Sequence, residues 1–335
     1  MKNKLMRLDT AVQSFVKDRM SIAAGGFPLA RQANIFSKEI LRQNKKGNIK
    51  VRDLFWIEPG IGFGGSMMVA EGVIDSVIST FSSHERAGLS VIARDSLEKG
   101  IPRKIKWEDE SNLTLNSRLM AGALNLPFIP CGSGIWGDLK KQGLWDGKLT
   151  YPKNVVMEDP FGSGRKIALL QGLFPDLSVV HVPFADLHGN GIILGSMYYD
   201  YWLARSGKKI VLIADQIVDT DMCRQFPNLV AIPGVGVDAV IPWYMGAWPC
   251  NSPGVYGEDL EHISSFIKNS RGELLKAYLD KYVYSWESHD EYMALIGADK
   301  VAALQDNPAK VLAEPYRKWI LPQDETEKLL AAAKN

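Results

Sequence analysis

Cysteine is scarce in this 335-residue chain: there are three, Cys131, Cys223 and Cys250, too widely spaced for a CxxC pair or an even-numbered framework. That excludes a disulfide scaffold and predicts a reducing, cytoplasmic compartment. Long apolar runs are missing too. The first residues, "MKNKLMRLDTAVQSFVKDRM", are basic without a continuous apolar stretch, so neither a membrane span nor a secretory leader is expected. Charge of one sign is not in excess, with 39 Lys and Arg against 38 Asp and Glu. The short clusters Lys45-Lys46 and Arg103-Lys104 read as solvated loop charge. This balance argues against nucleic acid as the main partner. Internal repeats, low-complexity tracts and a Pro/Ser linker are absent. What remains is a 46% hydrophobic composition, enough for a large core.

The apolar pattern alternates in period. Leu8, Val12, Phe15 and Val16 share a helical face, with Asp9 or Thr10 as its cap. "SIAAGG" is a short strand, and "ARQANIFSKEILRQNKKG" returns to helical spacing and stops at Gly47. "IKVRDLFWIEP", "GVIDSVISTF", "LPFIPCG", "KIALLQG", "LSVVHVPF", "NGIILGS", "KIVLIADQIV" and "VDAVIPWY" read as strands. "NSRLMAGALN" and "YYDYWLARSG" read as helices. Short apolar strands alternating with helices predict an open, mainly parallel α/β sheet covered on both faces. From about residue 256 amphipathic helices take over. The chain is therefore read as one domain, 1–335, with a core over about 1–255 and a helical C-terminal extension over about 256–335.

In such sheets ligands bind beyond the carboxyl ends of the strands, so the loops that follow strands matter most. "GIGFGG", residues 60–65, matches GxGxxG, with Pro59 directly before it. It reads as a tight strand-to-helix turn near an active-site floor, with nicotinamide binding as the alternative. In "AAGGFPLAR", residues 23–31, glycine amides can approach an oxyanion, and Arg31 can read a carboxylate or phosphate. A plain turn with a surface arginine is the alternative. "PCGSGIWGD", residues 130–138, offers backbone amides and the Ser133 hydroxyl. Cys131 beside it is a nucleophile or an inert thiol. In "WEDESNLTLNSRLMAG", residues 107–122, Ser111 or Asn112 caps a helix. Asn112 could instead donate to a ligand carbonyl, and Glu108, Asp109 and Glu110 read as a solvated acidic run.

"SVVHVPFADLHGNGIILG", residues 178–195, carries His181, Asp186, His188 and Asn190. The residues suit a turn held by Asp186 and Asn190, with His181 a satisfied core histidine. Their spacing does not specify a metal site, and none is expected. The chain thus has loops suited to an acyl group and an anion, but no convincing nucleophile.

These stretches together resemble the α subunit of family I CoA-transferases, most closely its glutaconate-type branch. The resemblance runs through "GGF" with the later Arg31, "SRLMAGALNLPFIP", "DPFGSG", "PDLSVVHVPFADLHGNGIILG", "VDAVIPWYMGAWPCNSPGVYGED" and "HDEYMALIGADKV". It implies a NagB/RpiA/CoA-transferase-like fold and a homologous β subunit, in an αβ pair or a larger α2β2-type assembly. The β chain would supply a glutamate that attacks the thioester of an acyl-CoA. A carboxylic acid accepts the CoA, and no cofactor is permanently bound. On this resemblance Gly25, Gly26 and Phe27 lie beside the acyl group, Asn112 donates to the acyl carbonyl or anhydride, and Ser111 adjoins it. Gly132, Ser133 and Gly134 form a substrate-side loop, and Arg31 meets the remote carboxylate of a dicarboxylic acyl group. The family's "GAHPS" is "GAWPC" here, so Trp248 is expected to thicken the pocket wall. The fold also hosts ring-opening hydrolases and decarboxylases. The hydrolase branch has a glutamate where this chain has Asn112, although Glu110 is two residues away. A non-catalytic scaffold chain is the remaining alternative.

Overall fold

The computed structural model describes residues 2–135 and 154–333. The first half builds β1 (Ser21–Ala24), β2 (Leu54–Ile57), β3 (Ile74–Ser79) and β4 (Lys106–Asp109). Between and around them run α1 (Leu8–Phe15), α2 (Asn34–Lys45), α3 (Phe63–Ala70), α4 (Val91–Lys99) and α5 (Asn112–Ala123). An antiparallel sheet follows, β5 (Phe128–Cys131), β6 (Asn154–Glu158) and β7 (Lys166–Gln171), in the order β5-β7-β6. The chain re-enters the main sheet as β8 (Leu177–Ala185), β9 (Gly191–Ile192), β10 (Ile210–Ile217), β11 (Val230–Ile232) and β12 (Ala239–Pro242), with α6 (Asp200–Ser206) and α7 (Thr220–Gln225) between strands.

The nine-stranded sheet is parallel along β12-β10-β8-β1-β2-β3-β4. Only β9 runs against the others: it pairs antiparallel with the end of β8 and with β11, as an extension of the sheet. Side chains of these strands alternate between two cores, as the pleat requires. Ile22, Trp56, Val179, Ile213 and Ile241 face one, and Ala23, Ile57, Val180, Leu212 and Val240 face the other. Because both faces are covered, the strands read as continuous apolar runs rather than alternating ones.

Of the C-terminal helices, α8 (Leu260–Lys268), α9 (Gly272–Tyr282), α10 (His289–Ile296) and α11 (Ala298–Gln305) join the main core, whereas α12 (Gln323–Ala331) has no buried residue. Phe266, Tyr278, Trp286 and Tyr292 are fully or almost fully buried in the same core as Phe36, Phe63 and Trp248. Helix α2 is consequently buried over its first ten residues, from Asn34 to Gln43, charged ones included. The Phe63 and Phe266 rings sit 4.4 Å apart. Arg42 lies 3.8 Å over the Trp286 ring, and its guanidinium bonds Glu39 and the Trp286 carbonyl.

Trp248 is part of this core, not of a pocket wall. It packs on His262 with centroids 4.1 Å apart and on the Lys38 amine, 4.8 Å from its ring. Arg103 is not free loop charge either. Its guanidinium donates to Asp53 at 2.7 Å, Asp75 at 2.8 Å and the Arg52 carbonyl at 2.7 Å, tying the entries of β2 and β3. Among the described residues no helix is long and apolar enough to cross a membrane.

Candidate active site

The carboxyl ends of the parallel strands β1, β2, β3 and β4 open on the same edge, and the loops leaving β1, β3 and β4 meet the start of α6. Ser111, not Asn112, caps α5. Its hydroxyl accepts from Thr114 N–H at 3.1 Å and the Thr114 hydroxyl accepts from Ser111 N–H at 2.9 Å, a reciprocal capping box. Asn112 is thereby freed of capping duty and stands exposed at the first helical position. Its Oδ1 accepts from the Tyr199 hydroxyl at 2.7 Å. Burial pushes the Tyr199 phenol up to about 12, against a smaller opposing effect of the Thr80 hydroxyl. Tyr199 therefore stays a donor at neutral pH, and the Asn112 amide is oriented with its NH2 left to donate outward.

Only Asp109 of the acidic run before Asn112 is exposed as expected. Glu108 and Glu110 are buried and both accept from the Arg118 guanidinium, while the Glu110 carboxylate also takes the Thr114 hydroxyl. Alternation along β4 explains it. Residues i and i+2 share a face, and that face meets Arg118 on the inner side of α5. Arg118 Nε donates to the Gln171 carbonyl of β7 at 2.9 Å, joining the two sheets beneath the site. Glu110 is thus committed to Arg118 and Thr114 and is not placed as a base beside Asn112.

The GGF loop is close by, but its amides are spent internally. Gly25 N–H donates to the Val179 carbonyl at 2.8 Å, Gly26 N–H to Asp200 Oδ1 at 2.7 Å, and Phe27 N–H to the Ala30 carbonyl at 2.9 Å. The expected oxyanion cradle is therefore not formed by this loop. A Cβ on Gly25 would overlap the Asp200 carboxylate, which is why glycine stands there.

The expectation for Arg31 is corrected as well. It is fully buried, and its Nη2 donates to Asp200 Oδ2 at 2.6 Å. An arginine so neutralised and enclosed does not present charge to a substrate carboxylate. It instead fixes Asp200, and through it the GGF loop and the first turn of α6.

The aromatic residues that this arrangement displays escape sequence reasoning. Phe27 stacks on Tyr198 at 5.2 Å and 19° and on Tyr199 at 6.0 Å and 20°, with Phe81 edge-on at 5.6 Å. Tyr198 has a left-handed backbone, φ 46°, although it is an aromatic residue, and it remains 46% exposed. Such a backbone costs on the order of 1–3 kcal/mol and persists only where the surroundings enforce it. The available signal was "MYYD" just after the "ILGS" turn, an aromatic pair opening a helix.

Gly132, Ser133 and Gly134 follow β5. Gly132 is exposed with open space around it, and Gly134 approaches Thr114 of α5, so the loop reaches the Asn112 helix end. Ser133 N–H lies 3.4 Å from Cys131 Sγ. The rest of "PCGSGIWGD", from Trp136 onward, lies outside the described residues.

GxGxxG is closed to a dinucleotide. Phe63 N–H, at the start of α3, donates to Gln32 Oε1 at 3.0 Å. A Cβ on Gly62 would overlap Gln32, and one on Gly65 would overlap Glu58. Glu58 accepts from Trp56 Nε1 at 2.8 Å and from Gln32 Nε2 at 2.9 Å, and its burial raises the carboxyl to about 7. The space a pyrophosphate would need holds protein side chains.

Asp186 and Asn190 hold the corner between β8 and β9. Asp186 Oδ1 accepts from His188 N–H at 2.9 Å and Asn190 N–H at 2.8 Å, and Oδ2 accepts from the Asn190 amide at 2.7 Å. His181 is fully buried, with Nε2 3.2 Å from Asp215. Among the described residues no three His, Cys, Asp or Glu side chains converge as a metal site would. A cavity of about 620 Å³ between Gln216, Tyr244 and Arg317 shares no residue with the Asn112 site.

An open parallel sheet with helices on both faces, and polar and aromatic groups gathered past its strand ends, defines an α/β chain with a shallow site facing outward. Residues 5–242 match the coenzyme A transferase family, and the chain belongs to that family. It is 27% identical to one of the subunits of glutaconate CoA-transferase of Acidaminococcus fermentans over 314 residues, 91% of this chain and 96% of that one. The crystal structure of glutaconate coenzyme A-transferase from the same organism superposes with a TM-score of 0.82 at 25% identity, covering 96% of this chain and 99% of that one. An uncharacterized Archaeoglobus fulgidus protein is 34% identical over 310 residues, 90% of this chain, and the chain spans 64% of that relative's length. The decarboxylase AibA/AibB shares the fold, with a TM-score of 0.65 at 24% identity, covering 83% of this chain and 99% of that one.

Proposed function

We propose that this chain is the α subunit of a cytoplasmic, heteromeric acyl-CoA:carboxylate CoA-transferase of the glutaconate type, acting with a β subunit that carries the nucleophilic glutamate. The observation that carries the reading is the Tyr199–Asn112 hydrogen bond of 2.7 Å. With Oδ1 accepting from Tyr199, the amide's NH2 is left to donate to a ligand.

In the proposed reaction a partner carboxylate attacks the thioester carbonyl, the C–S bond breaks and CoA leaves as thiolate, giving a mixed anhydride. The thiolate then attacks the glutamyl carbonyl, expelling the first carboxylate and leaving a glutamyl-CoA thioester. An acceptor carboxylate attacks that thioester and expels CoA thiolate, giving a second anhydride. The thiolate finally attacks the acceptor's carbonyl, which frees the glutamate and leaves CoA on the acceptor. At each tetrahedral stage negative charge collects on the former carbonyl oxygen. Asn112 Nδ2 donates to that oxygen. A fixed donor needs no reorganisation when the charge develops, and removing one such donor costs roughly 2.7–4 kcal/mol of transition-state stabilisation.

A ring-opening hydrolase reading needs a free carboxylate at this position. Asn112 occupies it, and Glu110 is turned into the Arg118 cluster. The test is Asn112→Ala in the complex assembled with its β chain. A fall in kcat of about 10²–10³ is expected. Borohydride or hydroxylamine trapping during turnover should label the β polypeptide. Unchanged turnover in Asn112→Ala would leave the chain a scaffold, and label on the α polypeptide would overturn the division of labour.

A further inference from the structure

We infer that the β6–β7 hairpin is an apolar arm on which the β subunit docks, beside Asn112; this rests on the proposed transferase reading. The ladder register fixes what the arm displays. Pro130, Leu169 and Val155 stand opposite one another across β5, β7 and β6, and Ile167 stands opposite Met157. Residues opposite in an antiparallel ladder share a face, and so do residues two apart along a strand. Phe128, two before Pro130, joins the same face, with Gln171 opposite it at the lower end. The reverse face, carrying Ile129, Ala168 and Leu170, is the one packed inward with Ile135. On the outward face Phe128, Val155 and Met157 are 39% to 51% exposed. Single exposed apolar residues are ordinary, but a contiguous sheet face of them marks a docking surface. β6 is also an edge strand, and its "NVVM" carries neither charge nor proline to discourage pairing.

The occupant follows from where the arm points. Gly134 approaches both Thr114 and Leu170, so Leu170 lies level with the first turn of α5. Further along, Arg118 Nε donates to the Gln171 carbonyl at 2.9 Å, and Leu173 N–H donates to the Arg118 carbonyl at 3.0 Å. β7 and α5 therefore run side by side in the same direction. The stretch of β7 before Leu170, at about 3.3 Å per residue, carries the hairpin roughly 13 Å past that level, on the Asn112 end of the helix. The turn at its tip is pre-set. Asp159 Oδ1 accepts from Phe161 N–H at 2.9 Å, Asp159 N–H donates to the Arg165 carbonyl at 2.8 Å, and Gly162 and Gly164 take positive φ. That turn holds Phe161 96% exposed. A chain that brings a carboxylate to Asn112 comes in over the same end and lies against the arm. An aromatic anchor backed by an apolar face suits a permanent interface rather than a passing contact.

The experiment produces the full chain together with its β subunit and measures the Kd of the heteromer by light scattering on dilution, alongside CoA-transfer turnover. Val155→Glu combined with Met157→Glu, and separately Phe161→Ser, should each weaken assembly by at least about thirtyfold, the worth of one interface anchor. The chain alone should keep its circular dichroism and melting temperature, because the replaced side chains are exposed. Val235→Glu, at an equally exposed apolar residue between β11 and β12, should leave assembly unchanged. Phe161→p-benzoylphenylalanine should cross-link to the β polypeptide under near-ultraviolet light. Assembly that survives the arm variants, equal weakening by Val235→Glu, or a cross-link to a second copy of this chain overturns the inference, and normal turnover in the same samples leaves the transferase reading intact. A heteromer that depends on the arm but transfers no CoA upholds the inference and rejects the transferase reading. A wild-type chain that forms no heteromer overturns both.

Discussion

Lys38 gives a stability test with a definite sign. Its amine is wholly buried without a hydrogen-bond partner, between the rings of Trp248 at 4.8 Å and Tyr292 at 5.1 Å. Burial pulls its pKa down to about 7, against a smaller effect of Cys250. In the unfolded chain the value returns to the usual 10.5. Below pH 7 both states carry the proton, and the folded chain bears the full penalty. Between pH 7 and 10.5 only the unfolded state binds it, so wild-type stability rises with pH by about 1.36 kcal/mol per unit. Over three units that is ~4 kcal/mol, and the two ring faces, worth up to ~2 kcal/mol to the cation, reduce it to ~2–4 kcal/mol. Lys38→Met fills nearly the same volume without the charge. Guanidinium chloride unfolding, followed by tryptophan fluorescence from pH 6 to 10, should find the variant more stable at pH 6, with its advantage shrinking by that amount toward pH 10. Burial is the first cause at each neighbour: it lowers His262 to about 3 and raises Cys250 to about 12, with Lys38 a smaller lowering influence on both, and it raises Glu58 to about 7 with no contribution from Lys38. A difference that is flat in pH, or a variant less stable at pH 6, refutes the reasoning.

Two further substitutions probe positions whose roles the structure reassigns. Gly65→Ala should destabilise the chain by on the order of 1–3 kcal/mol or more, because its methyl meets the Glu58 carboxylate; an unchanged melting temperature would show that this space is open after all. His181→Gln should lower the unfolding free energy by on the order of 1–3 kcal/mol while kcat of the assembled complex stays within a few-fold, since the ring sits in the core against Asp215. A large loss of turnover at unchanged stability would place His181 in the chemistry.

The sheet was legible because both of its faces are buried. Runs such as "IVLIADQI" need no long-range information to be recognised, and short runs between helices leave few topologies open. The site was legible as loops but not as contacts. Arg31 meets Asp200 across 169 positions and Arg118 meets Glu108 across ten, and local spacing carries neither pairing. For Glu108 and Glu110 a trace existed in the strand period, which puts alternate residues on one face, but acidic composition outweighed it. Gly25 and Gly26 point to a tight approach, and the approach is real. The group that comes close is the Asp200 carboxylate rather than a ligand. Trp248 reads as bulk near a pocket from its motif, and only the fold shows that the motif turns inward.

The shared core of α2, α3 and the C-terminal helices bears on how this architecture can diversify. Phe63, Trp248, Phe266, Tyr278 and Tyr292 interlock across that boundary. Such a segment cannot be added or shed as a cassette. A shortened descendant would first have to rewrite the far side of the sheet with water-compatible residues, so the length of a homologue's tail and the polarity of its second helix should change together through evolution.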